Sequence, residues 1–300
     1  MDISNHKVGL SLIRLTFGFI VLKNIIFYFP TSSYYFGRFG IAPWDDFVSA
    51  CNYVHLPFVP YLCINEYCLY FSVFVYLLTS FCFCLGIGGT TNGVVFYFFY
   101  FVFKIRNGLI LDGSDNVIAV ILPFLIFSDC YRFFNVENKF EALEFKVRNL
   151  VIFKALNNAM TLGIMLQVVF IYFFTAVAKS AGAMWQNGTA IYYTMRVEEF
   201  MATQWNIPLT QNIFFVVLGT YFTLLIEIAF PFLIWFKSTK FLIMGITALL
   251  HVGIFVFMRI DNFSWVMIST YPIFVSDSEF SKLKALASQQ LDRVRSLTRH

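Results

Sequence analysis

The sequence IFFVVLGTYFTLLIEIAFPFLIWF occupies residues Ile213–Phe236 and contains a single charged residue, Glu227. A run of about 20 mainly apolar residues is long enough to cross the hydrocarbon core of a bilayer as an α-helix. Lipid offers the backbone no hydrogen-bond partners, so such a run must pair its own amides and carbonyls, as a helix does. This stretch therefore predicts a transmembrane helix.

The rest of the chain has the same character. Of its 300 residues, 59% are hydrophobic and 13% are charged, and its mean hydropathy is +0.73. A soluble domain is nearer to about half apolar and about a quarter charged. The 40 Phe and 16 Tyr suit helices that face lipid and headgroups. We therefore predict an all-α fold, a polytopic integral membrane helix bundle with about eight transmembrane helices.

Eight apolar segments are the candidate transmembrane helices, and the third, fourth and eighth are short. They are Val8–Phe29, Tyr67–Leu85, Gly93–Phe103, Asp115–Phe127, Ala159–Ala178, Ile213–Phe236, Phe241–Met258 and Asn262–Val275. No small-residue cleavage site follows the first segment, so we expect it to be retained and not removed as a signal peptide. Residues 1–276 are then one transmembrane bundle, and residues 277–300 are a basic amphipathic tail.

Lysine and arginine concentrate in the connections that eight spans place on one side of the membrane. These are residues 130–156, the link at 237–240 and the C-terminal tail. Short cytoplasmic loops carry an excess of these residues, so both termini are predicted to be cytoplasmic in the plasma (inner) membrane. The basic residues form no nucleic-acid patch, and no nucleic-acid partner is expected.

The opposite, extracytoplasmic side receives the long connections at 30–66 and 179–212, and it is the face predicted to carry the functional site. On the cytoplasmic side, two stretches interleave apolar with charged residues, namely Glu141–Leu156 and the tail from Ser281. This pattern is typical of amphipathic helices that lie on a membrane surface.

Ionisable side chains at membrane depth are costly and therefore mark candidate functional sites. Glu227 must be neutral or paired, either in the core or in a site, and Pro231 is expected to kink its helix. His251 is either a satisfied core residue or an acid–base group. Lys23 is expected to reach the interface. Lys179 either does the same or, desolvated among apolar neighbours, serves as a neutral base.

Two further positions have mainly structural interpretations. Arg14 is expected to reach the interface or to pair inside the bundle with Asp129 or Glu227. Asp115 or Ser114 is expected to cap the fourth helix at its N-terminus.

Motifs of soluble enzymes are absent from the sequence, including phosphate-binding loops, paired-histidine metal motifs and nucleophile elbows. No metal site is expected. Cys51, Cys63 and Cys68 lie in or beside one loop, where a disulfide and free thiols both remain open.

The chain resembles the horizontally transferred transmembrane domain family. Its best-known member is the vitamin K-dependent γ-glutamyl carboxylase, and its short bacterial members include the sporulation-delaying peptide maturation proteins. The matching stretches are 14–19 with Tyr35 and Gly40, Asp112–Asn116, Tyr172–Lys179 followed by Trp185–Gly188, and His251 with Phe263–Met267 and Pro272–Phe274.

The resemblance implies a carboxylase-like membrane enzyme that modifies or matures a secreted peptide or protein at the extracytoplasmic face. Lys179 would deprotonate a reduced quinone of the vitamin K or menaquinol type, and His251 would assist. A protein partner encoded nearby is also implied. The supporting residues would be Asp115, Asn116, Glu227, Trp185 and Arg14.

This sequence also departs from the family's pattern. The carboxylase has a double lysine where this chain has Lys179-Ser180, and a histidine near the position of Asn116. The lumenal substrate-recognition domain of the carboxylase is not expected here.

Two other functions remain open. One is a non-catalytic membrane partner or scaffold for export, assembly or maturation, which would dock through Trp44 or Trp205. The other is a small transporter with a path lined by Arg14, Glu227 and His251, although no inverted repeat supports it.

Overall fold

A computed structural model describes residues 5–136 and 151–297 of the chain. Within these ranges all the regular secondary structure is helical, which confirms the predicted all-α class. The α-helices are α1 Lys7–Tyr28, α2 Ser32–Phe36, α3 Trp44–Tyr53, α4 Glu66–Leu85, α5 Gly89–Arg106, α6 Gly113–Ile126, α7 Val151–Ser180, α8 Ala183–Gln186, α9 Ala190–Thr194, α10 Asn206–Gln211, α11 Ile213–Leu233, α12 Lys240–Met258, α13 Asp261–Thr270 and α14 Asp277–Leu297. Short 3-10 turns cover Phe29–Thr31, Val59–Cys63, Gly108–Ile110 and Tyr271–Phe274.

Five helical segments in the described ranges are long and apolar enough to cross a membrane. They are Lys7–Phe36, which includes α1 and α2, and the single helices α4, α7, α11 and α12. Helix length and composition thus identify a multi-pass membrane protein.

The three short predicted spans correspond to α5, to α6 and to α13 with the turn that follows it. None of them has both the length and the hydropathy of a span. Helix α6 has 14 residues, and at about 1.5 Å per residue it covers only part of a hydrocarbon core of about 30 Å.

The outer surface of the bundle is apolar. Leu249 is 71% exposed, and Leu225 and Phe71 are exposed to a similar degree. Of the 18-residue apolar stretch of helix α12, only 17% is buried inside the protein. Apolar surface in water costs about 25 cal/mol per Å², so a bilayer is the environment that stabilises this exterior.

Helix α1 lies at the centre of the bundle, packed against α4, α13 and the turn at 271–274. Gly18 permits the close approach to α4, because a Cβ atom there would lie 2.7 Å from the Cα atom of Cys84. Helix α4 ends at Gly86, whose φ of 76° suits glycine. Helix α5 begins at Gly89, so residues 86–88 form a short turn between α4 and α5.

Contacts between distant segments gather at two ends of the bundle. At one, which we call the termini end, the amide of Asp277 donates to the Asn5 carbonyl at 2.7 Å. At the same end, Lys240 Nζ donates to the Phe274 carbonyl and to Glu279 Oε2, at 3.1 and 2.6 Å.

At the other end, which we call the loop end, Lys23 Nζ contacts Asp261 at 3.0 Å and Asn262 at 2.6 Å. Asn206 in the same region donates to the Phe257 carbonyl at 2.7 Å. Lys23 thus lies at the surface of the protein and has partners there. The two ends agree with the predicted division of the connections between two sides.

The three shorter helices also run between these ends. Arg106, in the last turn of α5, bonds to Phe36 at the loop end, whereas the start of α5 follows Gly86 at the other end. Helix α13 begins at Asp261, beside Lys23, and leads to Phe274, beside Lys240.

The predicted surface helices have different outcomes. The tail forms α14, which begins at Asp277, four residues before the predicted start. Residues 141–150 of the other stretch lie outside the described residues, and from Val151 onward it belongs to α7.

Candidate functional site

Lys179 lies in the last turn of α7 at the loop end, and its side chain is 25% exposed. Its Nζ atom is 2.5 Å from Oε1 of Glu227 on α11. The same Nζ atom lies 4.8 Å from the centroid of the Trp185 ring, a cation–π distance. The amine is therefore shielded on two sides, by a carboxylate and by an aromatic face.

Glu227 is more deeply buried than its partner, with a side chain only 8% exposed. Its second oxygen, Oε2, is buried and has no hydrogen-bond partner among the described residues. Pro231 lies four residues further along α11, and its missing amide leaves the Glu227 carbonyl without the usual helical donor. The helix nevertheless continues through Pro231 to Leu233. Unsatisfied acceptors thus concentrate at Glu227.

A second polar group lies deeper in the bundle and joins three helical segments. The Tyr172 hydroxyl on α7 is 2.8 Å from Nε2 of His251 on α12 and 2.5 Å from the Tyr271 hydroxyl. His251 is only 3% exposed, and its Nδ1 atom is buried with no hydrogen-bond partner in the described part of the chain. One imidazole nitrogen is therefore engaged and the other is available.

The two groups belong to one region. Tyr172 and Lys179 are seven residues apart on α7, a spacing that places both on one face with Lys179 about two turns nearer the loop end. The ring of Tyr172 also packs against Phe230 of α11, three residues beyond Glu227, with centroids 4.1 Å apart. The Lys179 cluster hereafter means Lys179, Glu227, Trp185, Tyr172, His251 and Tyr271.

The chemistry of this cluster is that of proton transfer. An amine, a carboxylate, an imidazole and two phenols lie within one apolar region, where electrostatic interactions are stronger than in water. A structural ion pair would account for the contact between Lys179 and Glu227. It would not account for the unpartnered Glu227 Oε2 and His251 Nδ1 atoms, which are available to bind a polar group of a ligand.

Asp115 and Asn116 lie apart from this cluster, at the start of α6. Asp112, and not Asp115 or Ser114 as predicted, is the N-cap residue. Asp115 instead occupies the third helical position, where its Oδ2 atom accepts the Asp112 amide at 3.0 Å in a capping box. The helix therefore begins two residues before the predicted start at Asp115, because Asp112 and Asp115 cap it reciprocally.

The same helix start is tied to α5. Lys104 Nζ donates to the Asp115 carbonyl at 3.2 Å and to Asn116 Oδ1 at 3.1 Å. The ring of Phe263 packs against both Gly113 and His251. Phe263 thus lies between this region and the Lys179 cluster.

Arg14 also lies apart, near the termini end, and is fully buried. Its guanidinium makes five hydrogen bonds of 2.7–3.2 Å, all to backbone carbonyls, at Phe83, Cys84, Cys130, Phe133 and Phe134. The expected pairing with Asp129 or Glu227 is therefore wrong, because the donors of Arg14 go to backbone carbonyls. A planar group with five donors satisfies the carbonyls left free where helices end.

The transporter path required Arg14, Glu227 and His251 together. Arg14 makes all its hydrogen bonds at the termini end, so these three residues do not line one path.

Tyr172 and Tyr271 were not identified as site residues from the sequence. The available signal was the seven-residue spacing of Tyr172 and Lys179, which predicts a shared helix face. No comparable signal existed for Tyr271, because its contact with Tyr172 spans 99 residues.

The cysteines of the connection between α2 and α4 are thiols. Cys51 and Cys63 are buried, and all six cysteines of the chain are free. Burial raises the pKa of Cys63 to about 12, with a smaller upward effect from Cys51 and Cys68 and a downward one from Arg106. No group of three or more metal-ligating side chains occurs in the described ranges.

No protein-family model matches this chain, and neither does any curated protein or any solved structure.

Proposed function

We propose that this protein is a plasma-membrane protein with eight spans and both termini in the cytoplasm. Three short helices that join the two ends of the bundle support the count, as do five long apolar helices. Lys237, Lys240, Lys282 and Lys284 all belong to segments at the termini end, which suits a cytoplasmic face. On this arrangement α14 lies along the cytoplasmic surface, and the Lys179 cluster opens to the outside.

The function we propose is that of a membrane enzyme of the vitamin K-dependent carboxylase-like class. It modifies or matures a secreted peptide or protein at the extracytoplasmic face, beside a protein partner encoded nearby. This proposal carries forward the resemblance to the horizontally transferred transmembrane domain family. The observation that supports it best is the contact of Lys179 with Glu227 beside two unpartnered polar atoms.

The pair can act as a base because of the number of protons it holds. As an ion pair, or as a neutral amine beside a neutral acid, Lys179 and Glu227 together hold one exchangeable proton. Burial disfavours both charges, so the neutral form lies closer in free energy than it does in water. In either form the pair can accept one more proton, which a substrate hydroxyl would donate.

His251 has a different role in this proposal. The Tyr172 hydroxyl fixes one imidazole nitrogen, so Nδ1 is left to donate to, or accept from, a substrate group. Tyr271 orients Tyr172 through the hydroxyl contact between them. Both tyrosines are positioning residues in this scheme.

A reduced quinone is the cofactor that the resemblance implies. The residues present suit such a headgroup, because Trp185 offers an aromatic face and Lys179, Glu227 and His251 offer groups that exchange protons. When bound, the quinol would supply an acidic hydroxyl, and its oxidation by molecular oxygen would drive the exchange of a substrate proton for carbon dioxide. The role of this chain is to hold that hydroxyl against the Lys179 pair and to exclude water from it.

The test compares the secreted product of the neighbouring gene made with wild-type protein and with Lys179→Ala. Carboxylation would increase the mass of the product by one carbon dioxide, and the variant should abolish that increase. Glu227→Gln should reduce it strongly, because the amide keeps the shape of the side chain but cannot hold the proton. Identical product masses from wild type and Lys179→Ala would refute catalysis.

The control is Lys23→Ala. Lys23 is also a lysine at the loop end paired with an acid, but its ion pair with Asp261 is exposed. The product made with this variant should carry the full mass increase. A loss of the modification in both lysine variants would indicate a fault of folding and not of chemistry.

A non-catalytic partner or scaffold is the second candidate, and the exposed aromatic residues at the loop end favour it. Trp205 is 61% exposed, and Phe39 and Tyr53 are more exposed still. Trp44 does not fit this surface, because it is half-buried over the guanidinium of Arg106. A partner that co-purifies with Lys179→Ala but is lost with Trp205→Ala would support this function.

A further inference from the structure

A cavity of about 140 Å³ lies at the loop end, among α1, α4, α5 and the start of α6. It shares no lining residue with the Lys179 cluster. Five aromatic residues line it, namely Tyr28, Phe36, Tyr76, Tyr100 and Phe103. An apolar cavity of about this size accommodates a molecule as large as benzene.

The aromatic walls are held rigidly. The rings of Tyr76 and Phe103 stack with centroids 5.1 Å apart and planes 6° apart. Phe36 meets Phe103 edge-on at 4.9 Å and Tyr28 at 6.0 Å. Ring faces of this kind carry negative partial charge, which attracts cations.

Acidic side chains outnumber basic ones on the polar side of the cavity. Asp112 and Asp115 line it with one cationic residue, Lys104. The Lys104 ammonium donates to a backbone carbonyl and to an amide oxygen, not to either carboxylate. The Tyr100 hydroxyl, also in the wall, donates to Asp115 Oδ1 at 3.4 Å.

The hydroxyl of Tyr76 is a further polar feature of the cavity. Tyr76 is 7% exposed and lies at the middle of α4. Its hydroxyl has no hydrogen-bond partner among the residues that the structure describes. A hydroxyl that faces a cavity and makes no hydrogen bond within the described residues marks a place for the polar group of a ligand.

We propose that this cavity binds a small organic ammonium cation. The aromatic faces attract its charge and the carboxylates balance it. The Tyr76 hydroxyl can accept a hydrogen bond from one of its N–H groups. A neutral molecule of the same shape gains only the apolar contacts, and an anion is repelled by the two carboxylates. This inference does not depend on the proposed function, because it concerns a different region and a different property.

The experiment measures binding by calorimetry to the full-length protein in detergent or nanodiscs. The probe is n-butylammonium, and 1-butanol and butyrate are the neutral and anionic comparisons. We expect saturable binding of n-butylammonium, at least about tenfold tighter than that of 1-butanol. Butyrate should not bind. Equal affinities for n-butylammonium and 1-butanol would overturn the proposal, because they would indicate an apolar cavity without charge selectivity.

Two variants locate the site. Asp115→Asn removes a charge while retaining a side chain that can cap a helix, and it should weaken n-butylammonium binding about tenfold. The matched control is Asp46→Asn on α3, an exposed aspartate outside the cavity, which should leave the affinity unchanged. An unchanged affinity in Asp115→Asn would contradict the proposal.

Tyr76→Phe keeps the proposal falsifiable if Asp115→Asn folds poorly. It preserves the ring and removes only the hydroxyl, so n-butylammonium should bind several-fold more weakly. Tetramethylammonium has no N–H group that could donate a hydrogen bond, so it should bind wild type and Tyr76→Phe with equal affinity. If Tyr76→Phe weakened the binding of both cations equally, the hydroxyl would not be accepting a hydrogen bond from the ligand, and this part of the proposal would be wrong.

Discussion

The Nζ atom of Lys179 lies 2.5 Å from Oε1 of Glu227, and the second oxygen of that carboxylate is buried without a partner. The two residues come from helices α7 and α11, which pack against each other. One amine and one carboxylate therefore satisfy each other only in part, inside a surface that faces lipid. The consequences for stability can be measured apart from any activity.

The first prediction concerns this pair. Lys179→Met should destabilise the protein by about 2 kcal/mol, because it leaves a buried carboxylate without its counter-charge. Lys179→Met combined with Glu227→Leu should cost less than the sum of the single changes, with a coupling of at least about 1 kcal/mol. Thermal unfolding of the purified variants, followed by circular dichroism, measures both quantities. If the stability changes of the single variants simply added up to that of the double variant, the two groups would not interact.

The second prediction concerns Arg14. Arg14→Lys retains the charge but supplies three donors where five carbonyls are now satisfied, so it should cost about 2 kcal/mol or more. The control, Lys23→Ala, breaks an exposed ion pair and should change stability by less than about 1 kcal/mol. Denaturant titration in detergent distinguishes the two. Equal stability of Arg14→Lys and wild type would argue against the carbonyl cluster.

The third prediction concerns thiol reactivity in the connection between α2 and α4. Burial raises the pKa of both Cys51 and Cys63, the latter to about 12. At pH 8 these thiols should carry almost no thiolate and resist maleimide in the native protein, whereas the more exposed Cys68 should react. After denaturation all three should be labelled. Peptide mass spectrometry gives the sites, and rapid native labelling of Cys63 would contradict the buried position.

The fourth prediction concerns the docking of the tail in acid. Burial alone would raise the pKa of Glu279, but hydrogen bonds from Lys240 and Ser276 outweigh it and lower the pKa to about 2. A carboxylate with a lowered pKa stabilises the folded state above its unfolded pKa. That contribution is lost as the pH falls from about 4.5 to about 2.

The measurement for this prediction is pepsin cleavage within α14, compared between wild type and Glu279→Gln at each pH. At pH 4.5 the variant should be cleaved faster, because its amide cannot form the ion pair with Lys240. By pH 2 the two rates should nearly converge, since about half of the wild-type carboxyl is then protonated and most of its contribution to stability is lost. A constant ratio across this range would mean that Glu279 does not hold the tail.

The sequence was sufficient to predict the helical class, the membrane setting and the division of the connections between two ends. Each follows from a local property, because a bilayer requires every span to satisfy its own backbone and to be apolar along its length. Ionisable residues at membrane depth also stand out individually, as Lys179, Glu227 and His251 did.

The partners of these residues depended on the tertiary structure. Lys179 meets Glu227 across 48 residues, and Tyr172 meets Tyr271 across 99. Such pairs are fixed by the rotation of each helix about its axis and by how closely neighbouring helices pack. The hydropathy pattern constrains these features weakly when almost every face of a helix is apolar. For the same reason Arg14 was expected to find a carboxylate, whereas the packed chain presents it with backbone carbonyls at the ends of helices.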